Sequence, residues 1–488
     1  MATVQPNILM VMVDQMAHDV IGQLGHPAVS TPHLNRLVAG GVAFTNAYCN
    51  SPICVSSRTS LMTGRLVRQT RAYDNGSEFP ASVPTFAHHL NRAGYRTILA
   101  GKMHFIGPDQ LHGFQERLTT DISPAGFELT PDWRRGPYPN EGTSVNRLRY
   151  PPVRPWSLQL SYDEEVLHSA LARLRQLQAE QQPFFMCASF SHPHDPFLVP
   201  QAYWDRYEDV PIPAPAAPGR PLHEHHPYNQ WIQIHHEADR FPLAPEEVQQ
   251  ARRAYYAAVS YVDDLVGRLL GELERLGLSD TLVIFTSDHG EMLGEHGMWF
   301  KRTFHDPSVK VPLVLSLPGR FKAARRTEVV SLVDLTATLL EYAGVPDAEA
   351  QIARLDGNSL RPLLEETGGT WRNRAVSEYY SEGTIEPMLL LRTERHKFVY
   401  VHGHSPLLFD LDHDPLELHN LAAEAGNEAL CRALREDLLQ GLDVAVLKDE
   451  ILHSQQERLL IVAATPTSAA WKYQAPTDVS RLYRRPTS

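Results

Sequence analysis

The sequence predicts an α/β fold: a mostly parallel central sheet flanked by helices, followed by a small C-terminal antiparallel α+β domain. Three observations predict it. Short, continuous apolar runs of strand length recur and stop abruptly at polar residues, as strands buried on both faces do. Helix-spaced stretches separate these runs, as the crossovers of a parallel sheet require. Near Asn373 the texture changes to short runs joined by tight turns. The expected division is a catalytic α/β domain over 1–372, the small domain over 373–463 and a tail over 464–488.

The first run, Ile8–Val13, stops at Asp14 and reads as a buried strand. Thr31-Pro32 opens a helix, because proline suits the first helical position. Ser82 to Arg92 reads as a short helix closed by Gly94, and Tyr95–Ala100 as a strand that delivers Lys102 and His104. Pro124 to Pro155 is rich in Pro, Gly and Arg and reads as a long loop. Tyr162 to Gln178 has helical spacing, and Phe184–Phe190 is a strand ending at Ser191-His192-Pro193-His194-Asp195-Pro196. From about Pro245 to Leu276, Val248, Ala251, Tyr255, Ala258, Val262, Leu265, Leu269 and Leu273 form one apolar face. Thr281–Thr286 runs into Asp288-His289-Gly290, Val311–Leu317 is a further strand, and Leu335–Tyr342 is helical. Met388–Leu391 and Lys397–Val401 flank a hairpin turn, Leu407–Leu411 adds a strand, and Glu428 to Leu439 is a helix. The tail carries Trp471, Tyr473 and Tyr483, aromatic residues expected to dock on a neighbouring subunit.

Composition narrows the function. The 488 residues include 45 Lys plus Arg against 57 Asp plus Glu, a formal charge of −12. This acidic balance speaks against general nucleic-acid binding. Apolar residues make up 43% and charged residues 21%, a globular composition that excludes chain-wide disorder. No run approaches the ~18 apolar residues of a membrane span. The apolar start lacks a basic flank and is too short for a secretion signal, so a cytoplasmic location is expected. Cys49, Cys54, Cys187 and Cys431 form no CxxC pair and are expected to be reduced.

In open parallel sheets ligands bind beyond the carboxyl ends of the strands. Asp14, Lys102, His104, His194, Asp288 and His289 all closely follow predicted strands and would gather at one edge. Asp14, Asp288 and His289 make an oxygen-and-nitrogen donor set for one divalent ion, Ca²⁺ or Mn²⁺. Each has a blander reading singly, as a cap, a turn or a solvated loop residue; their coincidence at strand ends carries the argument. A second cluster runs from Ser51 to Arg65, where Cys54 precedes a helical stretch and Arg58 can face an anion. A lone cysteine is usually only a small buried hydrophobe.

The Cys54–Arg58 stretch resembles the sulfatase signature, Cys-x-Pro/Ala-x-Arg with a Thr-Gly-Arg-like end, here Thr63-Gly64-Arg65. Asn7–Gln15, Thr31–Leu37, Asp280–Trp299 and Phe409–Asn420 resemble further segments of that family. Tyr73–Ser77, Gly101–Gly113, Leu118–Ile122 and His192–Phe197 are similar to choline sulfatases. The Asp14-Gln15 and Asp288-His289 pairs also resemble phosphonate monoester hydrolases of the same superfamily. The resemblance implies an alkaline-phosphatase-like fold and a formylglycine nucleophile made from Cys54 by formylglycine-generating machinery. A hydrated aldehyde offers two hydroxyls: one attacks sulfur and expels the alcohol, and the other then loses its proton as sulfate departs. A thiol has no such second step.

Position by position, the resemblance implies that Asp14, Cys54, Asp288 and His289 hold the metal and that Arg58 orients the aldehyde hydrate. Asn75, Lys102, His104, His194 and Lys301 would bind the anionic oxygens, and a histidine would protonate the leaving oxygen. His194 is preferred over His192, since His194-Asp195-Pro196 fits the family pattern His-x-Pro. Gln15 stands where many sulfatases carry a second Asp, and Ser56 where the converting machinery meets Pro or Ala. The acidic tail segment of choline sulfatases has no counterpart before Ser488. Trp133 with Glu378 or Glu382 would then form the site for a substrate cation, by cation–π and charge attraction. The expected substrate is a small, cationic sulfate ester such as choline sulfate, with a phosphonate monoester or phosphodiester as the alternative and an anion-binding pseudoenzyme as the rival. A homo-oligomer, dimer or tetramer, is expected, with no membrane partner.

Overall fold

The computed structural model describes residues 5–346 and 352–465. An eight-stranded sheet forms its centre, in the order β4-β3-β5-β1-β6-β7-β2-β8. Its strands are β1 (Ile8–Val13), β2 (Val42–Tyr48), β3 (Arg96–Gly101), β4 (Glu116–Arg117), β5 (Phe184–Ser189), β6 (Leu282–Ser287), β7 (Leu313–Ser316) and β8 (Ala324–Ser331). β7 runs antiparallel to both its neighbours, and the remaining pairings are parallel.

The continuous apolar runs have a direct cause. Alternate residues of β1 serve two separate cores: Ile8, Met10 and Met12 one, Leu9, Val11 and Val13 the other. A strand covered on both faces has no position left for a polar residue until it ends. Helices Leu158–Leu177 and Pro245–Arg275 contribute to the second core. The four-stranded antiparallel sheet is β12 (Leu407–Asp410), β11 (His396–Val401), β10 (Met388–Arg392) and β9 (Ala375–Tyr379). Its residues Tyr379, Met388, Leu390 and Val399 belong to the first core, so the two sheets share apolar packing.

Some elements differ from expectation. The Ser82–Arg92 helix begins only at Phe86, because Thr85 is its cap: the Thr85 backbone N–H donates to His88 Nδ1 at 3.1 Å. β2, β8 and β9 were not foreseen, nor was the long helix Val444–Ala464. Trp471, Tyr473 and Tyr483 lie outside the described residues. Among the described residues no helix is long and apolar enough to cross a membrane. All four cysteines are free.

Candidate active site

The strands β3, β5, β1 and β6 are adjacent and parallel, with Gly101 opposite Ser189, Met12 opposite Ser189 and Val13 opposite Ser287. Their carboxyl ends therefore meet at one sheet edge, and the residues that follow them meet too. Gly101 makes the turn possible: its φ is +107°, and a Cβ there would lie 1.9 Å from the Ser189 carbonyl oxygen. The chain then presents Lys102 and His104 towards β1.

Cys54 is the first residue of a helix, Cys54–Thr63, buried along its whole length. Its sulfur lies 3.3 Å from His289 Nε2 and 3.8 Å from Asp14 Oδ1. Arg58, one turn on, donates from Nε to Asp288 at 2.8 Å and from Nη2 to Asp14 at 3.1 Å. Nη1 donates to the Lys102 carbonyl at 2.6 Å and to Ser189 Oγ at 3.0 Å. Arg58 thus acts as a buried brace that fixes both carboxylates. Lys102 Nζ adds a third cationic contact, 2.7 Å from Asp14. Burial and Cys54 push the Asp14 carboxyl up, but the directly paired Lys102 and Arg58 help to hold it well below its usual range.

Asp14, Cys54, Asp288 and His289 offer four donor atoms within 4.8 Å of one another. Their chemistry fits a divalent cation. His289 Nδ1 lies 3.0 Å from the Gly290 carbonyl, which makes it the donor and turns Nε2 towards the two carboxylates. Two carboxylates are balanced by Arg58 and Lys102, so an added dication leaves a positive site suited to an anionic ester. Burial pushes the Cys54 thiol up, but Lys301, Lys102 and His289 outweigh it and hold it well below its ordinary value.

Lys301 Nζ donates to Gln15 Oε1 and, at 2.6 Å, to His194 Nε2. His194 Nδ1 lies 2.8 Å from the Asp195 carbonyl. His192 faces elsewhere: its ring is held between Asp163 at 2.7 Å and the Leu198 carbonyl at 3.1 Å. His104 has left-handed backbone, φ 57°, fixed by the Asp121 carboxylate accepting its N–H at 2.7 Å. Both its ring nitrogens are buried without a hydrogen-bond partner in the protein, and the ring neighbours the Cys54 sulfur. Asn75 Oδ1 accepts the Val55 N–H at 3.1 Å and so sits beside the same helix start.

The residues read as a cation site are placed differently. Glu378 is fully buried and paired with Arg68 at 3.2 Å; it also accepts the Arg68 backbone N–H at 2.8 Å. Trp133 packs with Tyr73, Tyr380 and Ile451, and its Nε1 donates to the Ser381 carbonyl at 3.0 Å. At 5% exposure it presents no open indole face. Glu382 is paired with Arg302 at 2.8 Å. Sequence reasoning missed Glu291, which follows Asp288-His289-Gly290 and accepts the Gln15 amide N–H at 2.5 Å. It also left Arg302 and Asp195 without roles. A second group, His296, His305 and Glu417, resembles a ligand set. Its two rings stack at 3.9 Å and 19°, so their in-plane lone pairs cannot meet at one ion, and Lys397 holds Glu417.

Comparison with known proteins identifies the family. The family model described as Sulfatase matches residues 6–345, and that of the N-sulphoglucosamine sulphohydrolase C-terminal region matches 294–443. The chain is 39% identical to a choline-sulfatase of Rhizobium meliloti (strain 1021), over 99% of this chain and 96% of that one. It is 29% identical to an arylsulfatase of Clostridium perfringens, covering 90% and 95% of the two. The phosphonate monoester hydrolase of Agrobacterium radiobacter superposes with a TM-score of 0.70 at 27% identity, covering 89% and 95%. With its hydrolase site at the carboxyl edge of a mostly parallel sheet, the chain belongs to the sulfatase family.

Proposed function

We propose that the protein is a sulfuric ester hydrolase that releases sulfate from a small alcohol, with residue 54 acting as formylglycine. The observation that supports this most is the convergence of Cys54 with a divalent-ion donor set and the Lys301–His194 pair. Asp14, Asp288 and His289 would hold one ion, Ca²⁺ or Mn²⁺, together with residue 54. Such an ion supplies charge neutralisation for the sulfate and raises the acidity of the nucleophilic hydroxyl. The chain's own residues do the rest. Arg58 keeps the two carboxylates fixed. Lys102, His104 and Asn75 receive the anionic oxygens. The Lys301–His194 pair holds the proton needed by the leaving oxygen.

Peptide mass spectrometry of active protein tests the nucleophile; full activity with a wholly unmodified thiol refutes it. Turnover of choline sulfate, an aryl sulfate and a phosphonate monoester, side by side, tests the reaction. Choline sulfate is the first alcohol ester to try, because the 39% identical relative bears that name. A phosphonate monoester hydrolase is the second reading, favoured by the backbone likeness to the Agrobacterium radiobacter protein of that name. It takes first place if phosphonates turn over faster than every sulfate. The reading extends to a cytoplasmic homo-oligomer converted by formylglycine-generating machinery.

A further inference from the structure

We propose that Arg302 is a specificity-determining residue: it cancels the charge of Glu382, so a cationic alcohol gains no advantage over an uncharged one of the same shape. This rests on the sulfatase reading above and deepens it to the choice of leaving group. Arg302 directly follows Lys301, and its backbone N–H donates to the Pro52 carbonyl at 3.2 Å, two residues before Cys54. Its φ is 84°, a left-handed conformation rare for a side chain of this size and retained where the surrounding contacts demand it. The consecutive side chains thereby diverge, Lys301 towards His194 and Arg302 towards Glu382.

The pairing leaves Glu382 little capacity for a second cation. Arg302 Nη2 donates to Oε1 at 2.8 Å, and the Ser381 hydroxyl donates to Oε2. The Arg302 side chain is 4% exposed and that of Glu382 10%. A guanidinium never deprotonates at working pH, and it is held at a fixed place against the carboxylate. An incoming ammonium would have to replace a buried, hydrogen-bonded partner, leaving Arg302 an uncompensated charge. The two imidazoles packed against the pair add no charge. Burial and Arg302 push His236 down, and they take His235 to about 4, so both rings are neutral near neutral pH. Arg147 lies 3.2 Å from Asp195 and closes that pair. Trp133, the other half of an ammonium site, is covered on its faces and bound at its Nε1.

The experiment compares choline sulfate with its neutral isostere, 3,3-dimethylbutyl sulfate, by sulfate release from the full-length, converted enzyme. The two esters share shape and differ by one charge. The wild-type ratio of kcat/KM is expected to lie within about threefold of unity. Arg302→Met unmasks Glu382 and is expected to shift the ratio about tenfold or more towards choline sulfate, while Arg302→Lys leaves it in place. Glu382→Gln leaves Arg302 unopposed and shifts the ratio the other way, which keeps the test open if Arg302→Met does not fold. A wild-type preference for choline sulfate above about tenfold that disappears in Glu382→Gln overturns the proposal, since Glu382 would then read the cation despite Arg302. A ratio unmoved in both Arg302→Met and Glu382→Gln overturns it as well. If neither ester releases sulfate, the sulfatase reading fails on its own, and the same ratio is read on the matching methylphosphonate monoesters.

Discussion

Replacing Lys301 by Met tests how the leaving alcohol is protonated. The ammonium is 3% exposed and donates to two acceptors, Gln15 Oε1 and His194 Nε2. Methionine keeps the length of the stem and removes the charge and both hydrogen bonds. Losing one preorganised donor to a developing negative charge costs about 2.7–4 kcal/mol, or ~10²–10³ in kcat. The effect on folding is smaller, about 1–3 kcal/mol for the stranded acceptors, and is offset by no longer burying a cation. The assay is a series of aryl sulfates with leaving phenols of graded acidity, plus one alkyl sulfate. An acidic phenol leaves as its anion and needs little help; an alkoxide needs a proton in the transition state. The loss is therefore expected to be about tenfold for a nitrophenyl ester and to approach a thousandfold for the alkyl ester, with a steeper dependence on leaving-group acidity. Lys301→Arg retains charge but not the compact ammonium that fits between Gln15 and His194, and is expected to restore only part of the rate. A loss of the same size across the whole series would refute the reasoning, leaving Lys301 a ligand of the sulfate oxygens alone.

Three further outcomes follow from the contacts. Asp288→Ala removes a carboxylate that serves both the donor cluster and Arg58, so elemental analysis of the purified variant is expected to show a steep drop in bound divalent metal; stoichiometric metal with unchanged turnover would overturn the assignment. Trp133→Ala is expected to cost about 3–5 kcal/mol in urea unfolding, as a buried aromatic does, while kcat/KM for charged and neutral esters changes by one common factor. Lys397→Met removes the ammonium shared by the Asp306 and Glu417 carboxylates and is expected to cost about 3–5 kcal/mol near neutral pH. Burial pushes Asp306 up, but Lys397 and Lys310 hold it well below the usual carboxylate range, so in the wild type its stabilisation is present above the unfolded value and is lost as pH falls. In Lys397→Met Asp306 keeps only the more distant Lys310 and is held down less, so the gap to wild type is expected to narrow as pH falls from neutrality; a widening gap would contradict the pairing.

The sheet edge was legible because each strand that builds it is a short apolar run cut off by a polar residue. Asp14, Lys102, Asp288 and His289 could be brought together from that pattern alone. β8 escaped because it lies at the sheet's end: its residues Ala324 to Glu328 alternate between partly buried and exposed and form no apolar run. The helix Val444–Ala464 escaped for a different reason. Its buried face continues through Gln455 and Arg458, which replace apolar contacts by hydrogen bonds. Gln455 accepts the Trp133 N–H at 3.1 Å, and Arg458 grips both oxygens of Asp74 at 2.6 and 2.8 Å. Partner choice among charged groups was the least legible layer. Nothing in local spacing says that Glu378 faces Arg68 or that Glu382 faces Arg302; those pairs are set by how the two sheets meet.

Gln15 shows how far one neutral residue shapes the site. Its left-handed backbone, φ 65°, lets its N–H donate to Asp288 Oδ1 at 3.0 Å while its carbonyl accepts the Tyr255 hydroxyl at 2.7 Å. The amide orientation follows from its partners: oxygen towards the Lys301 ammonium, nitrogen towards Glu291 at 2.5 Å and Asp195 at 3.4 Å. A carboxylate at this position could accept from Lys301 but would have no hydrogen for Glu291. It would also add a third negative charge beside Asp14 and Asp288, next to a glutamate that burial already pushes up to about 7. The amide avoids both costs. It leaves two carboxylates and an imidazole as the donor set of the proposed metal site, and it holds Lys301 without neutralising it. An ammonium anchored by neutral acceptors keeps more of its field for the leaving oxygen than one locked in an ion pair, and a water-excluded site strengthens that field further. The same contrast separates Lys301 from its neighbour: Arg302, paired with Glu382, is spent on structure and selectivity, while Lys301, held by Gln15 and His194, retains its charge for the reaction.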